Sequence, residues 1–193
     1  MCPLSYREKK RKETAYHEAG HIFMLALFNH RVTDSHIREV QNGEIKFEGE
    51  TNYSPCIDLT SIKDLLDKRT FACIAFAGSS AEDKFIGCKD DCGMSIFDGG
   101  LDDWIQYQTL RLKKGSHKPL LELTNKIIDE HWPLVSELAE ALYQSGSLNS
   151  QEIEAILNAK ISTCPASKYL QIKRSQYEHH LRNIKLELFK KSD

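Results

Sequence analysis

The chain has 193 residues, of which 40% are hydrophobic and 28% are charged, with only 10 glycines and 5 prolines. This composition excludes collagen-like and low-complexity proteins and fits one compact domain plus an appendage, but not two large domains. The formal net charge of −2 excludes an overall basic surface of the kind that binds nucleic acid.

The hydrophobic pattern predicts a mainly α fold with one small β-hairpin. The first predicted helix covers 13–28 and is apolar nearly all round after Ala19, which is typical of a helix buried on most sides. The next predicted elements are two strands, 37–40 and 44–51, around an Asn42-Gly43 turn. One or two helices over 59–85, a glycine-rich loop at 87–100 and a helix at 101–112 follow. The last elements of the main domain are one long helix at 118–144, bent at Pro133, and a short helix that ends near Ala159 after a cap at 147–150.

The last part of the chain differs in charge from the rest. Segment 160–193 carries eight Lys and Arg against three Asp and Glu, a local net charge of +5. We therefore predict a main domain over 1–160 and a linker with a basic amphipathic helix over 161–193. The helix has a narrow apolar stripe, which consists of Leu170, Tyr177, Leu181, Ile184 and Leu188. We expect this stripe to pack on the main domain; the alternative is that it docks a second copy of the chain or a separate partner.

The cysteines and the lengths of the apolar runs indicate the cellular compartment of the protein. The six cysteines follow no apolar leader segment, which favours free thiols in a reducing cytoplasm. The longest dense apolar run, 22–28, is far shorter than the roughly 20 residues that cross a bilayer. We expect a cytoplasmic protein without a transmembrane segment.

One short motif has the residues of a metal site. In His17-Glu18-Ala19-Gly20-His21 the two histidines stand one helical turn apart on the same face, so that both imidazoles can bind one tetrahedral zinc ion. Glu18 lies beside such an ion and is placed to act as the general base for an attacking water. Two surface histidines around a solvated glutamate are the ordinary alternative, but the motif runs directly into the apolar segment 22–28, where buried polar groups need partners.

A catalytic zinc site of this type needs a third protein ligand, and spacing alone leaves several candidates open. Asp102 and Asp103 at the start of a helix are two of them, although carboxylates in a first turn also serve as ordinary helix caps. The others are Glu82, Cys88, Asp90, Asp91, Cys92 and His117.

Several blocks of the sequence resemble, in order, the peptidase domain of the FtsH-type AAA zinc metalloproteases. Segment 9–21, with Thr14-Ala-Tyr-His-Glu-Ala-Gly-His21, is similar to the family's T-A-Y-H-E-A-G-H motif. The blocks at 76–82, 85–87, 98–104, 127–131, 134–142 and 148–156 are similar to later family segments, so that the likeness covers about 9–158.

The resemblance implies a mainly helical peptidase domain in which His17, His21 and Asp103 bind zinc and Glu18 is the catalytic base. It departs from the family pattern in three places. Asp102 replaces the usual asparagine beside the third ligand, Ser79 replaces the usual arginine of the second block, and the segment 112–120 is short. The sequence also contains no G-x-x-x-x-G-K-[S/T] motif for nucleotide phosphates.

These observations lead to two hypotheses. The first is a zinc-dependent metalloendopeptidase that cleaves unfolded proteins or peptides, bound as an added strand near the hairpin. The second is a catalytically silent module with the peptidase fold that binds an oligomeric ATPase or protease partner through its C-terminal helix.

Overall fold

The computed structural model describes residues 4–41, 45–87, 100–161 and 165–184. In these ranges the fold is mainly α with one small antiparallel sheet, as predicted. The described helices are α1 (Tyr6–Leu27), α2 (Leu65–Ile86), α3 (Leu101–Thr109), α4 (His117–Glu130), α5 (Trp132–Ser145), α6 (Ser150–Lys160) and α7 (Ala166–Asn183). The strands are β1 (Arg31–Gln41), β2 (Ile45–Ser54) and β3 (Ser147–Asn149), and a single 3₁₀ turn covers Leu59–Ser61.

Helix α1 is the centre of the fold and packs against α2, α5, the sheet and α7. Its second half is buried, as the apolar run predicts. The predicted start at Glu13 is wrong because Ser5 and Glu8 form a capping box that begins the helix at Tyr6.

Helices α1 and α2 approach each other through a glycine. A Cβ atom at Gly20 would lie 2.3 Å from the carbonyl oxygen of Ala77 in α2. Only a residue without a side chain therefore allows this approach.

Among the described residues the sheet has the strand order β2-β1-β3, so that β2 is an edge strand. Its residues pair antiparallel with β1, with Ser35 opposite Thr51 and Ile37 opposite Gly49. Strand β1 begins six residues earlier than predicted. Strand β3 was not predicted, since three residues are too few for an alternating pattern; the same segment does provide the predicted cap, in which Asn149 and Glu152 form a capping box.

The predicted long helix 118–144 is instead two helices, α4 and α5, separated at His131. Pro133 has no N–H group and occupies the first turn of α5, where no donor is needed. The amides of Leu134 and Val135 both donate to the carbonyl of His131 and start the new helix. Proline therefore begins a helix here rather than bending one.

Helix α7 packs on the body of the protein through its apolar stripe, as predicted. Leu170, Tyr177 and Leu181 are buried, and α7 contacts α1, α2 and α6. Leu188 lies outside the described residues. The buried guanidinium of Arg69 in α2 caps the end of this helix by donating to the carbonyls of Leu181, Arg182 and Ile184. The stripe is thus occupied within the chain.

A polar cluster fixes α7 to the junction of α4 and α5. The buried ring of His131 lies between two hydroxyls, with Nε2 3.1 Å from Tyr177 and Nδ1 3.3 Å from Tyr169. Tyr177 donates to Glu130 at 2.6 Å, and Lys173 also binds Glu130. Apolar packing and these hydrogen bonds together attach α7 to the other helices.

None of the described helices is both long and apolar enough to cross a bilayer. Of the cysteines in the described ranges, Cys73 is buried, Cys56 is exposed, and both are free thiols.

Candidate metal centre

Three predicted ligand atoms converge where α1, α2 and α3 meet. Nε2 of His17 and Nε2 of His21 lie 3.0 and 3.1 Å from Oδ2 of Asp103, and 3.2 Å from each other. The two histidines share one face of α1, and Asp103 reaches them from the first turn of α3. The three side chains are 10 to 12% exposed, so the cluster is nearly enclosed but not sealed.

The outer nitrogen of each histidine has its own acceptor. Nδ1 of His17 lies 3.0 Å from Oε2 of Glu82, and Nδ1 of His21 lies 3.0 Å from the carbonyl oxygen of Ile74. When Nδ1 carries the proton and donates it to these acceptors, Nε2 presents a lone pair to the centre of the cluster. Both acceptors belong to α2, which therefore orients the two rings.

The electrostatics of the cluster couple the three groups. Burial lowers the pKa of His17 and of His21, but the charge and hydrogen bonds of Asp103 outweigh it, and Glu82 adds to the effect at His17. Both pKa values are raised as a result. Burial raises the pKa of Asp103, but the two histidines outweigh it and hold that pKa well below its usual range. Asp103 is thus an ionised, electron-rich oxygen donor.

The residue of α2 that faces the two histidine nitrogens is Gly78, which has no side chain. A Cβ atom at Gly78 in α2 would lie 2.4 Å from Nε2 of both His17 and His21. Glycine leaves the space in front of the two nitrogen atoms free.

These donors fit zinc. Two imidazole nitrogens and one carboxylate oxygen are a common set of protein ligands in catalytic zinc sites. Ligands at about 2.0–2.1 Å around a tetrahedral ion lie roughly 3.3 Å from one another, close to the separations of 3.0 to 3.2 Å here. The cluster therefore has the size as well as the chemistry of a three-ligand zinc site.

The carboxylate of Glu18 lies against the edge strand β2. The hydroxyl of Thr51 donates to Oε2 of Glu18 at 2.7 Å. A Cβ atom at Gly49 would lie 2.4 Å from Oε1. Gly49 and Thr51 are two residues apart and share one face of the strand, so β2 leaves room for one carboxylate oxygen and binds the other.

Among the described residues, the other third-ligand candidates do not join the cluster. Asp102 is exposed on α3, next to the inward-facing Asp103, and His117 is exposed at the start of α4. Glu82 contacts the outer nitrogen of His17 and not the centre. Cys88, Asp90, Asp91 and Cys92 lie outside the described residues, as does most of the predicted loop at 87–100.

Sequence reasoning missed part of the site. Glu82 was a candidate ligand, whereas the structure places it behind His17. The closeness of Gly49, Thr51 and Gly78 to the site had no signal in the sequence, since it depends on how β2 and α2 pack on α1. A Gly-x-Thr sequence in a strand is informative only once the facing residue is known.

Comparison with known proteins adds no relative: no family model matches the chain, and no curated protein matches it.

Proposed function

We propose that this chain is a zinc-dependent metalloendopeptidase of the FtsH-type class. The observation that carries the proposal is the convergence of His17, His21 and Asp103 to within 3.2 Å, with Glu18 on the same helix. The similarity of the 9–21 segment to the FtsH-type motif supports it from the sequence. A cytoplasmic location remains a prediction of the same proposal.

The chemistry divides between the metal and the chain. Zinc, when bound, supplies Lewis acidity that polarises a peptide carbonyl and makes water more acidic. His17, His21 and Asp103 would hold it, while Glu82 and the carbonyl of Ile74 fix the two imidazole rings. Glu18 accepts a proton from the attacking water. The water oxygen adds to the carbonyl carbon, the C–N bond breaks, and the amine leaves with the proton that Glu18 received.

The substrate we propose is an extended, unfolded segment or short peptide. Strand β2 is at the edge of the sheet, and an edge strand can pair its free N–H and C=O groups with an added strand. Because β2 carries Gly49 and Thr51 against Glu18, a peptide paired there runs beside the proposed base. A folded protein cannot adopt this extended form, so we expect it to be cleaved poorly.

Zinc content and cleavage of casein and a short peptide, measured on the same preparations, test this proposal. We expect about one zinc per chain in the wild type. Glu18→Gln should keep the metal and lose cleavage by at least about 100-fold, since general base catalysis contributes 10²–10⁴-fold. Hydrolysis retained by Glu18→Gln would refute the assignment.

The paired aspartates of α3 supply a matched control. Asp103→Asn should lose zinc and activity, because it removes the carboxylate that faces the two histidines. Asp102→Asn changes an exposed neighbour and should keep both. Equal zinc content in the two variants would exclude Asp103 as the third ligand.

The second candidate is a silent module that binds an ATPase or protease partner. The same experiment separates the two. Stoichiometric zinc without cleavage, or no zinc at all, favours the silent module. Leu170, Tyr177 and Leu181 of the apolar stripe are buried within the chain, so such a partner would contact the outer face of α7.

A further inference from the structure

The Glu18 carboxylate accepts a hydrogen bond from the Thr51 hydroxyl of the sheet, and the Ser35 hydroxyl lies behind Thr51. Thr51 Oγ1 lies 2.7 Å from Glu18 Oε2, and Ser35 Oγ lies 2.9 Å from Thr51 Oγ1. A threonine hydroxyl has only one proton. Since Thr51 gives that proton to the carboxylate, Ser35 must be the donor in the second bond. The hydrogen bonds are therefore donated in one direction, from Ser35 to Thr51 and from Thr51 to Glu18.

Strands β1 and β2 hold the two hydrogen-bonded hydroxyls in place. Ser35 is fully buried and lies directly opposite Thr51 in the antiparallel register of β1 and β2. Its side chain needs a hydrogen-bond partner at that depth, and Thr51 is the partner. The hydroxyl of Thr51 is thus held from behind and aimed at one oxygen of Glu18.

The two oxygens of Glu18 are distinguished by β2. Oε2 accepts the hydrogen bond from Thr51, whereas no described residue hydrogen-bonds to Oε1. Gly49 leaves the space beside Oε1, where a Cβ atom would lie only 2.4 Å away. A carboxylate on a flexible two-carbon stem is consequently restricted to one orientation.

We propose that Thr51, held by Ser35, is the positioning residue of the catalytic base. This inference rests on the proposed peptidase function and extends it to the edge strand. Thr51 acts through Glu18, and it belongs to the same strand that we propose as the template for the peptide backbone. Alignment of the base and pairing of the substrate therefore depend on one element.

The test compares Thr51→Val, which keeps the branched shape but removes the hydroxyl, with Thr51→Ser, which keeps the hydroxyl. Thr33→Val on β1 is the matched control, because Thr33 is exposed and its hydroxyl donates to the neighbouring Asp34 rather than to Glu18. For Thr51→Val we expect normal zinc content, nearly unchanged KM and a kcat about 10-fold lower, within the range for residues that orient a metal site. Thr51→Ser should recover most of kcat. Ser35→Ala should lower kcat less, and the double variant should lose no more than Thr51→Val alone.

Two further measurements are independent of turnover. One is the affinity for a peptide hydroxamate, determined by calorimetry; the other is the orientation of the Glu18 carboxylate in crystals of zinc-free protein. We expect weaker hydroxamate binding and a rotated carboxylate in Thr51→Val, but wild-type behaviour in Thr51→Ser.

The outcomes separate this inference from the proposed function. An unmoved carboxylate with a kcat within twofold of the wild type in Thr51→Val overturns the role of Thr51, as does a loss in Thr51→Ser equal to that in Thr51→Val. A zinc-loaded wild type without hydrolysis overturns the peptidase function instead. The carboxylate orientation and the hydroxamate affinity then decide the role of Thr51 by themselves.

Discussion

His17 is held from both sides of its ring, with Nδ1 3.0 Å from Oε2 of Glu82 and Nε2 pointing away from it toward Asp103. A histidine ligand whose outer nitrogen donates to a carboxylate is a better electron donor and is fixed in one tautomer. The contact explains why a glutamate near the cluster is not itself one of the three converging groups.

Replacing Glu82 with glutamine should therefore weaken zinc binding by about 10-fold, since the partner of His17 loses its charge. Competition with a chromophoric chelator measures this affinity. Glu122→Gln, an exposed change on α4, is the control and should bind zinc like the wild type. Unchanged affinity in Glu82→Gln would mean that this contact does not tune the ligand.

Gly78→Ala should lose zinc and lower the free energy of unfolding. Alanine normally stabilises a helix interior relative to glycine by about 0.5–1 kcal/mol, but here its Cβ would lie 2.4 Å from both ligand nitrogens. Thermal unfolding and zinc content measure the effect.

Ser80→Ala is the control on the same turn of α2, because the hydroxyl of Ser80 is buried without a hydrogen-bond partner among the described residues. It should keep both zinc and stability. A Gly78→Ala variant that is more stable than the wild type and fully loaded would contradict the assigned role of the glycine.

Arg69→Met should loosen the C-terminal helix. The guanidinium donates to three carbonyls at the end of α7, of which that of Leu181 is buried, and its removal takes this donor away from all three. We expect the free energy of unfolding in urea to fall by about 3 kcal/mol. Arg38→Met changes an exposed arginine of β1 and should be nearly neutral. Equal stability of the two variants would show that α7 does not depend on this cap.

Stability should also fall as the pH drops from about 6.5 to about 4. Burial lowers the pKa of His131 to about 4; Glu130 opposes this shift and Lys173 adds to it. The ring also faces the hydroxyls of Tyr169 and Tyr177 and packs on Phe23. The unfolded chain binds a proton on His131 below about pH 6.5, while the folded protein leaves this group neutral until about pH 4. Protonation therefore favours unfolding throughout that interval.

Urea unfolding at pH 7.5 and pH 4.5 measures this dependence, with zinc-free protein so that metal release does not contribute. We expect the wild type to lose about 2 kcal/mol more than His131→Gln between the two pH values. The difference between the two proteins isolates His131 from the other titrating groups. An identical loss would contradict the neutral state of His131 in the fold.

The sequence was sufficient to predict the features with local signals. The spacing of His17 and His21 and the apolar run after them predicted two imidazoles on one face of a buried helix, and the periodicity of 59–85 predicted the helical segment that became α2. Spacing alone left Asp102 and Asp103 open, and the resemblance favoured Asp103. Adjacent residues on a helix point about 100° apart, and the position of α3 turns Asp103 inward.

Features that join distant segments could not be predicted. The contact of Glu82 with His17 spans 65 residues, and that of Thr51 with Glu18 spans 33. Such contacts arise from tertiary packing, which neither periodicity nor capping motifs encode. The division of 118–144 into two helices had a local signal in Pro133, but a proline fits both a bent helix and a new first turn, and the orientation of α5 decides between them.

The backbone contact between Gly20 and Ala77 has a consequence for how tightly a metal can be held. Where two main chains touch, no side-chain rotamer can alter their separation. The proposed ligands on α1 and Gly78 on α2 are therefore held at a fixed distance from each other. For the zinc binding that we propose, few additional torsion angles would become ordered, so the conformational entropy cost would be small and the affinity would depend mainly on the donor atoms.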